Sequence, residues 1–287
     1  MPMAAYHLSL PERRTTSVVF ASPHSARTYS PAFLRRTVLD ERSVRSSEDA
    51  FVDRLFETAP QAGAPLIMAG TPRAYVDLNR SADELDPALI EGAPRQGHNP
   101  RVTSGLGVIP RVVANGQAIY SGKLSLIEAR NRIETIWRPY HAALQAALDE
   151  AHMMFGEAIL VDCHSMPHEA MDQVARRGIR RPEVVLGDRF GASADGAVVD
   201  RIEAAFTRAG LVVTRNTPFA GAYITQAYGR PGRGRHAVQV EIDRALYMDE
   251  RAIRPNGNFD AFCCLMRGIV HEIAGIGRAE AVPLAAE

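Results

Sequence analysis

Four short segments constrain this chain more than any other feature, because each runs from apolar residues straight into polar ones. They read SVVFASPHS (17–25), AYVDLNR (74–80), AILVDCHSM (158–166) and AVQVEIDR (237–244). Each has the length and branched-aliphatic content of a buried strand whose last residues emerge at an edge. In open α/β sheets, ligands bind beyond the carboxyl ends of the strands. Strands that bring His24, Asn79 with Arg80, His164, and Glu241 with Arg244 to one rim would build a site there. Two imidazoles and a carboxylate are a common zinc set for hydrolysis.

The rest of the pattern fits the same class. Residues 49–62 carry Phe51, Leu55 and Phe56 at helical spacing and are expected as an amphipathic helix. Residues 65–69 and 73–77 are expected as strands around a GTPR turn. Residues 124–155 repeat Ile127, Ile133, Ile136, Leu144 and Leu148 at helical intervals, with Pro139 expected to break or kink the helix. VVLGD and LVVTR are expected as strands, 197–209 and 259–276 as helices. The alternation predicts an α/β fold with a mixed or parallel sheet. No repeat, low-complexity tract or linker divides the chain, so residues 1–287 are expected as one domain.

Residues 81–122 break the rhythm. They hold Pro87, Pro94, Pro100 and Pro110, several glycines and little periodicity. Asn115-Gly116 between two short apolar runs is a strong hairpin signal. The region is expected as a long excursion folded over the sheet edge, of the kind that forms lids and binding loops. The segment PFAGAYITQAYGRPGRGRHA is rich in Gly, Tyr and Arg and is expected to be mobile or to contact ligand.

Composition excludes several function classes. Acidic and basic residues balance at 33 each, so no global field draws nucleic acid or a membrane surface. Anion recognition must come from locally placed arginines. Cys163, Cys263 and Cys264 form no CxxC pair and no even disulfide framework, which suits a reducing compartment. The first residues lack the apolar run of a signal peptide, and no stretch approaches the roughly 18 apolar residues of a membrane span. A cytoplasmic protein is expected. Nothing in the pattern fixes an oligomeric state.

Strand alternation puts Asp162 and His164 on one face and Cys163 on the other. Cys163 therefore reads as a buried, inert thiol, and Cys263 and Cys264 read the same way. A lone histidine after a strand is ordinarily a hydrogen-bonded structural residue. Two of them, each just past a strand and each followed by serine, point to a shared metal site. Glu48 and Asp49 open the 49–62 segment, as ligands or as simple helix caps. Glu241 inside VQVEI is costly to bury, so it is either paired with Arg244 or a general base with a raised pKa. Asp243 faces the same side as Glu241 if the strand continues that far. Arg80 and Arg244 are two-pronged carboxylate donors, or else structural partners of Asp77 and Asp243. His7, His98, His141, His152, His168, His236 and His271 show no paired ligand spacing and read as surface or core residues.

These residues sit in blocks whose order is informative. SPHS, SEDAFVDRLF, AYVDLNRSADELDP, GLGVIPRVV, IYSGKL, VDCHSMP, LGDRFG, YGRP and VEIDRALYMDE run in sequence along nearly the whole chain. The chain thereby resembles the N-formylglutamate amidohydrolase family. That family is similar to the zinc carboxypeptidase-like hydrolases, including aspartoacylase and succinylglutamate desuccinylase, which also carry a DLNR segment. The resemblance implies a three-layer α/β/α fold with a mixed central sheet. It implies one zinc ion held by His24, His164 and Asp49, with Glu48 as the fallback. It implies Asn79 and Arg80 as the substrate clamp, helped by Arg244, and Glu241 as the base. The expected substrate is a small anionic N-acyl amino acid, N-formyl-L-glutamate, in the last step of one route of histidine breakdown. The sequence departs from its relatives at Arg27, where they place a glutamate three residues after the first histidine. It departs again at Ala26, usually glycine, and at Asp243, often asparagine. Another N-acyl amino acid or a small peptide remains an alternative substrate. A metal-free binding protein on the same fold is the remote alternative.

Overall fold

The apolar runs of the four segments cannot leave either face in water, so three of them lie in the middle of a sheet. The computed structural model describes residues 4–94, 97, 99–172 and 180–278. His98 lies outside the described residues. Seven strands form the sheet: Tyr6–Ser9 (β1), Val18–Ser22 (β2), Leu66–Ala69 (β3), Ala158–Met166 (β4), Val184–Gly187 (β5), Val213–Arg215 (β6) and Arg235–Asp243 (β7). Their order is β1-β3-β2-β4-β7-β5-β6. The four inner strands β3, β2, β4 and β7 run parallel, β1 pairs antiparallel to β3 and β5 antiparallel to β7, and β6 runs parallel to β5. Every residue of β2 and β4 is buried, as strands covered on both faces must be.

Helices cover both faces. One face carries Val52–Leu55 (α1), Gly196–Arg208 (α4) and Phe259–Ile276 (α6). Their apolar stripes pack on Val161, Cys163, Val238, Val240 and Ile242. Helix α6 buries Phe262, Met266, Ile269, Val270 and Ile273, the spacing of one helical face. The other face carries Leu126–Arg132 (α2) and Arg138–Phe155 (α3). There Leu144 and Leu148 pack with Val19, Leu160 and the apolar residues of the 81–122 excursion. Truncating a fully buried leucine such as Leu144 costs about 2–5 kcal/mol. Helix Tyr223–Tyr228 (α5) sits beside β7. The result is a three-layer α/β/α arrangement around a mixed sheet. Among the described residues no helix is long and apolar enough to cross a membrane.

Two expected elements differ. The 49–62 helix shrinks to the single turn α1. Phe51 adopts a left-handed φ of 69°, and Asp49 N donates to His24 O at 3.0 Å, so the backbone is drawn out of helix before α1 can start. The 73–77 strand is absent. Side chains of the long helix hold this stretch instead: Arg132 donates to Tyr75 O and, beyond residue 77, His141 to Leu78 O and Trp137 to Arg80 O. Pro139 does not break the helix. A π turn at Ile133–Trp137 joins α2 to α3 and widens the backbone just where proline lacks a donor. The Asn-Gly turn forms as expected. Asn115 and Gly116 both have positive φ, and Val112 bridges Ala118 antiparallel.

Candidate active site

The carboxyl ends of β2, β4 and β7 lie on one edge of the sheet because the three strands are parallel neighbours. His24 follows β2, and His164 and Glu241 sit near the ends of β4 and β7, directly opposite one another in register. Asp162 and Gln239 form the previous registered pair on the same face. Cys163 points to the other face, into the α4–α6 core. Asp49 arrives from the turn before α1. His24, Asp49, His164, Gln239 and Glu241 line a cavity of about 380 Å³.

His24, Asp49 and His164 converge. One ligand atom from each lies within 4.8 Å of the other two, and all three residues are buried. Both histidines aim Nδ1 inward: His164 Nδ1 lies 2.9 Å and His24 Nδ1 3.4 Å from Asp49 Oδ2. Each Nε2 is backed by a buried carboxylate, His24 by Asp77 Oδ1 at 2.7 Å and His164 by Asp162 Oδ2 at 3.0 Å. Asp77 accepts also from Asn79 N and Arg73 Nε, so His24 Nε2 must donate to it. In the neutral ring that leaves Nδ1 as a bare lone pair, and it is buried without a hydrogen-bond partner. An orphaned imidazole nitrogen beside a carboxylate oxygen and a second imidazole fits a divalent cation. Imidazoles fixed from behind by carboxylates are the usual support of such ligands.

The electrostatics agree. Burial pushes the Asp49 carboxyl up, but His164 and His24 outweigh it and hold Asp49 well below the usual carboxylate range. Burial pulls His164 down, yet Asp162 and Asp49 raise it well above its ordinary value. Burial pushes Glu241 up to about 7. Gln239 Nε2 donates to Glu241 Oε1 at 2.7 Å, and Gln239 Oε1 accepts from Ala222 N. This ties the base candidate to the loop that walls the cavity. Gly187 lets that loop approach: a Cβ there would lie 2.7 Å from Ala220 C and Gly221 N.

The clamp residues are placed less simply than the sequence implies. Arg80 lines the cavity, donating from Nε to Leu106 O and from Nη1 to Asn79 O, and among the described residues it is bonded to no carboxylate. Asn79 also lines it, but its amide oxygen accepts from Ile224 N at 2.7 Å and its Nδ2 faces Asp162 and His164. Arg244 is bound neither to Glu241 nor to Asp243. Its Nη2 donates to Asp49 Oδ1 at 3.0 Å and its Nε to Ser165 Oγ at 3.1 Å. Asp243 instead caps the turn after β7 and meets His168. Glu48 turns away to Arg45.

The chain is similar to known proteins along most of its length. The N-formylglutamate amidohydrolase family model matches residues 16–248. The chain belongs to that family. The N-formylglutamate deformylase of Pseudomonas aeruginosa is 32% identical over 248 residues, covering 84% of this chain and 85% of that one. The enzyme of the same name from Pseudomonas putida is 32% identical over 240 residues, covering 81% and 82%. The crystal structure of N-formylglutamate amidohydrolase from Ralstonia eutropha JMP134 superposes with a TM-score of 0.88 at 34% identity, over 96% of this chain and 99% of that one. The gene product Atu2144 from Agrobacterium tumefaciens shares the fold, with a TM-score of 0.66 at 17% identity over 95% and 94%.

Sequence reasoning in this family member missed Arg73, Arg101, Asp162 as a backing carboxylate, and Gln239. The signal for Asp162 and Gln239 was present in strand alternation, since each lies two residues before a named site residue. Arg73 and Arg101 carried none, because a segment without strand structure and a one-turn helix inside the 81–122 excursion bring them to the cavity.

Proposed function

We propose that this amidohydrolase cleaves the linear amide of N-formyl-L-glutamate to formate and L-glutamate, using one zinc ion held by His24, Asp49 and His164. The observation that carries the reading is the buried His–Asp–His cluster beside Glu241 in an arginine-lined cavity, in a chain of this family. When bound there, zinc supplies Lewis acidity for the formyl oxygen and for water. Glu241, held by Gln239, accepts the proton of the attacking water and returns it to the departing amine. Arg80 takes a substrate carboxylate, with Asn79 and Arg244 at its side, and holding the amide in place supplies much of the rate. Asp77 and Asp162 keep each imidazole in the tautomer that presents Nδ1. The three free cysteines suit a cytoplasmic enzyme, and the reaction would close one route of histidine breakdown.

The test is formate release from N-formyl-L-glutamate by metal-loaded protein, beside N-acetyl and N-succinyl glutamate. Zinc-dependent formate release with preference for the formyl substrate is expected. Faster cleavage of either larger acyl group would reassign the enzyme within the amidohydrolases. No turnover of any of them by zinc-loaded protein would overturn the reading.

A further inference from the structure

N-formylglutamate has two carboxylates, and most arginines around the cavity already have partners. Arg73 is bound to Asp77 and Arg244 to Asp49. The arginines of the 230–235 loop face elsewhere. Arg230 donates to the carbonyls of Gln226 and Gly229, Arg235 pairs with Asp149, and neither they nor Arg233 line the cavity. Arg101 differs from all of these. It is exposed, it lines the cavity from the one-turn helix Pro100–Thr103, and its guanidinium makes no hydrogen bond or ion pair among the described residues.

Its backbone is nevertheless fixed beside Arg80. Arg101 N donates to Asn99 Oδ1 at 3.0 Å, and Arg101 O accepts from Leu106 N at 2.8 Å. The carbonyl of the same Leu106 accepts from Arg80 Nε at 2.9 Å. One residue therefore ties two arginines to the same wall, and among the described residues neither guanidinium is bonded to a carboxylate. Burial lowers the Arg80 pKa, Asp77 and Glu84 oppose the shift from a distance, and the charges of Arg73 and Arg101 press the same way as burial. Like charges held together are costly unless an anion lies between them. Depth separates the two arginines, since Arg80 is buried and Arg101 is exposed. With the scissile amide at the buried cluster, the α-carboxylate one carbon away falls to Arg80, and the longer reach toward the mouth falls to Arg101.

We propose that Arg101 binds the side-chain carboxylate of the substrate and is the residue that selects N-formylglutamate over N-formyl amino acids with neutral side chains. This rests on the deformylase reading above. The test compares kcat/KM for N-formyl-L-glutamate with that for N-formyl-L-glutamine, which has the same shape without the charge. In Arg101→Gln the glutamate-to-glutamine ratio is expected to fall ten- to a hundred-fold, with partial recovery in Arg101→Lys. A ratio within two-fold of wild type, or an equal loss on both substrates, would overturn the assignment while leaving the deformylase reading intact. Wild-type zinc-loaded protein that cleaves neither substrate would overturn both.

Discussion

The two oxygens of Asp49 do different work. Oδ1 is held by Arg244 and Ser165, which leaves Oδ2 facing both imidazoles. Arg244 thus orients the acidic member of the cluster, a role that the motif around it does not announce. Asp162 works behind His164 in the same way, and Asp162→Asn should lower metal affinity ten- to a hundred-fold. Titration against a competing chelator measures this, and an unchanged affinity would reduce Asp162 to a core residue. Glu241 carries a second expectation. Glutamine at that position should cut turnover by orders of magnitude while metal still binds. It should also stabilise the metal-free protein, in a pH-dependent way. The folded carboxyl ionises near 7 and the unfolded one near 4.5, so burying the charge costs stability that grows as pH rises between those values. Below that window wild type and Glu241→Gln should melt together, and above pH 7 the variant should melt higher. A variant that melts lower at pH 8, or turns over normally, would make Glu241 a structural residue. The strand-end positions of His24, His164 and Glu241 were legible in the sequence because each follows an apolar run. Asp49 was offered by its place before α1 and by its block, alternation put Asp162 on the face of His164, and Asp77 emerges as the partner of His24 only in the folded 73–80 segment.

At the scale of elements, the α2–π–α3 helix is the device that shapes the DLNR segment. Arg132 reaches Tyr75 O, Trp137 Nε1 donates to Arg80 O at 2.9 Å, and His141 Nε2 meets Leu78 O at 2.9 Å. Burial pulls His141 down to about 4, so at neutral pH the ring is uncharged. The Leu78 carbonyl can only accept, so Nε2 holds the proton and Nδ1 accepts from Tyr228 OH. Trp137→Phe removes one of these ties and leaves the ring packing. A net hydrogen bond of about 1 kcal/mol corresponds to roughly a five-fold effect. We expect it mainly in KM for N-formyl-L-glutamate, because Arg80 is the group displaced. A change confined to kcat would show that Trp137 does not act through Arg80. This grip also explains what the sequence concealed. Residues 259–276 were legible to the residue because their apolar period packs one helical face on the sheet, and 158–166 because the run is apolar enough to be buried on both faces. Residues 73–77 look like a strand by composition, but a side chain from a helix some sixty residues later takes the Tyr75 carbonyl, and another holds Arg80 O just beyond. No local pattern encodes that. The 49–62 segment fails as a helix for a related reason, since the tie between Asp49 and His24 outweighs helical spacing.

At the scale of the whole molecule, the site hangs on a scaffold that does not need it. Nine consecutive registered pairs join β4 to β7, and the two large apolar clusters pack the sheet faces without using His24, Asp49 or His164. Stripping the metal should therefore leave the fold in place, with unchanged far-ultraviolet circular dichroism. It should still lower the melting temperature, because a ligand that binds only the folded state stabilises it by mass action. At a thousand-fold excess over its dissociation constant, that term is about 4 kcal/mol. For a chain of this size each kcal/mol moves the midpoint about 2–4 °C, so zinc should raise it by roughly ten degrees. The gain must also depend on pH in a defined direction. Without metal, His164 holds a proton between Asp49 and Asp162, and that proton is bound more tightly than by a free imidazole. A cation at Nδ1 has to displace it, so metal affinity falls as pH drops through the range where the ring stays protonated. Thermal melts with and without zinc at pH 6 and pH 8 test this directly. The zinc-induced shift should be larger at pH 8, and a shift that is absent at pH 8, or larger at pH 6, would show that zinc does not bind at these two imidazoles.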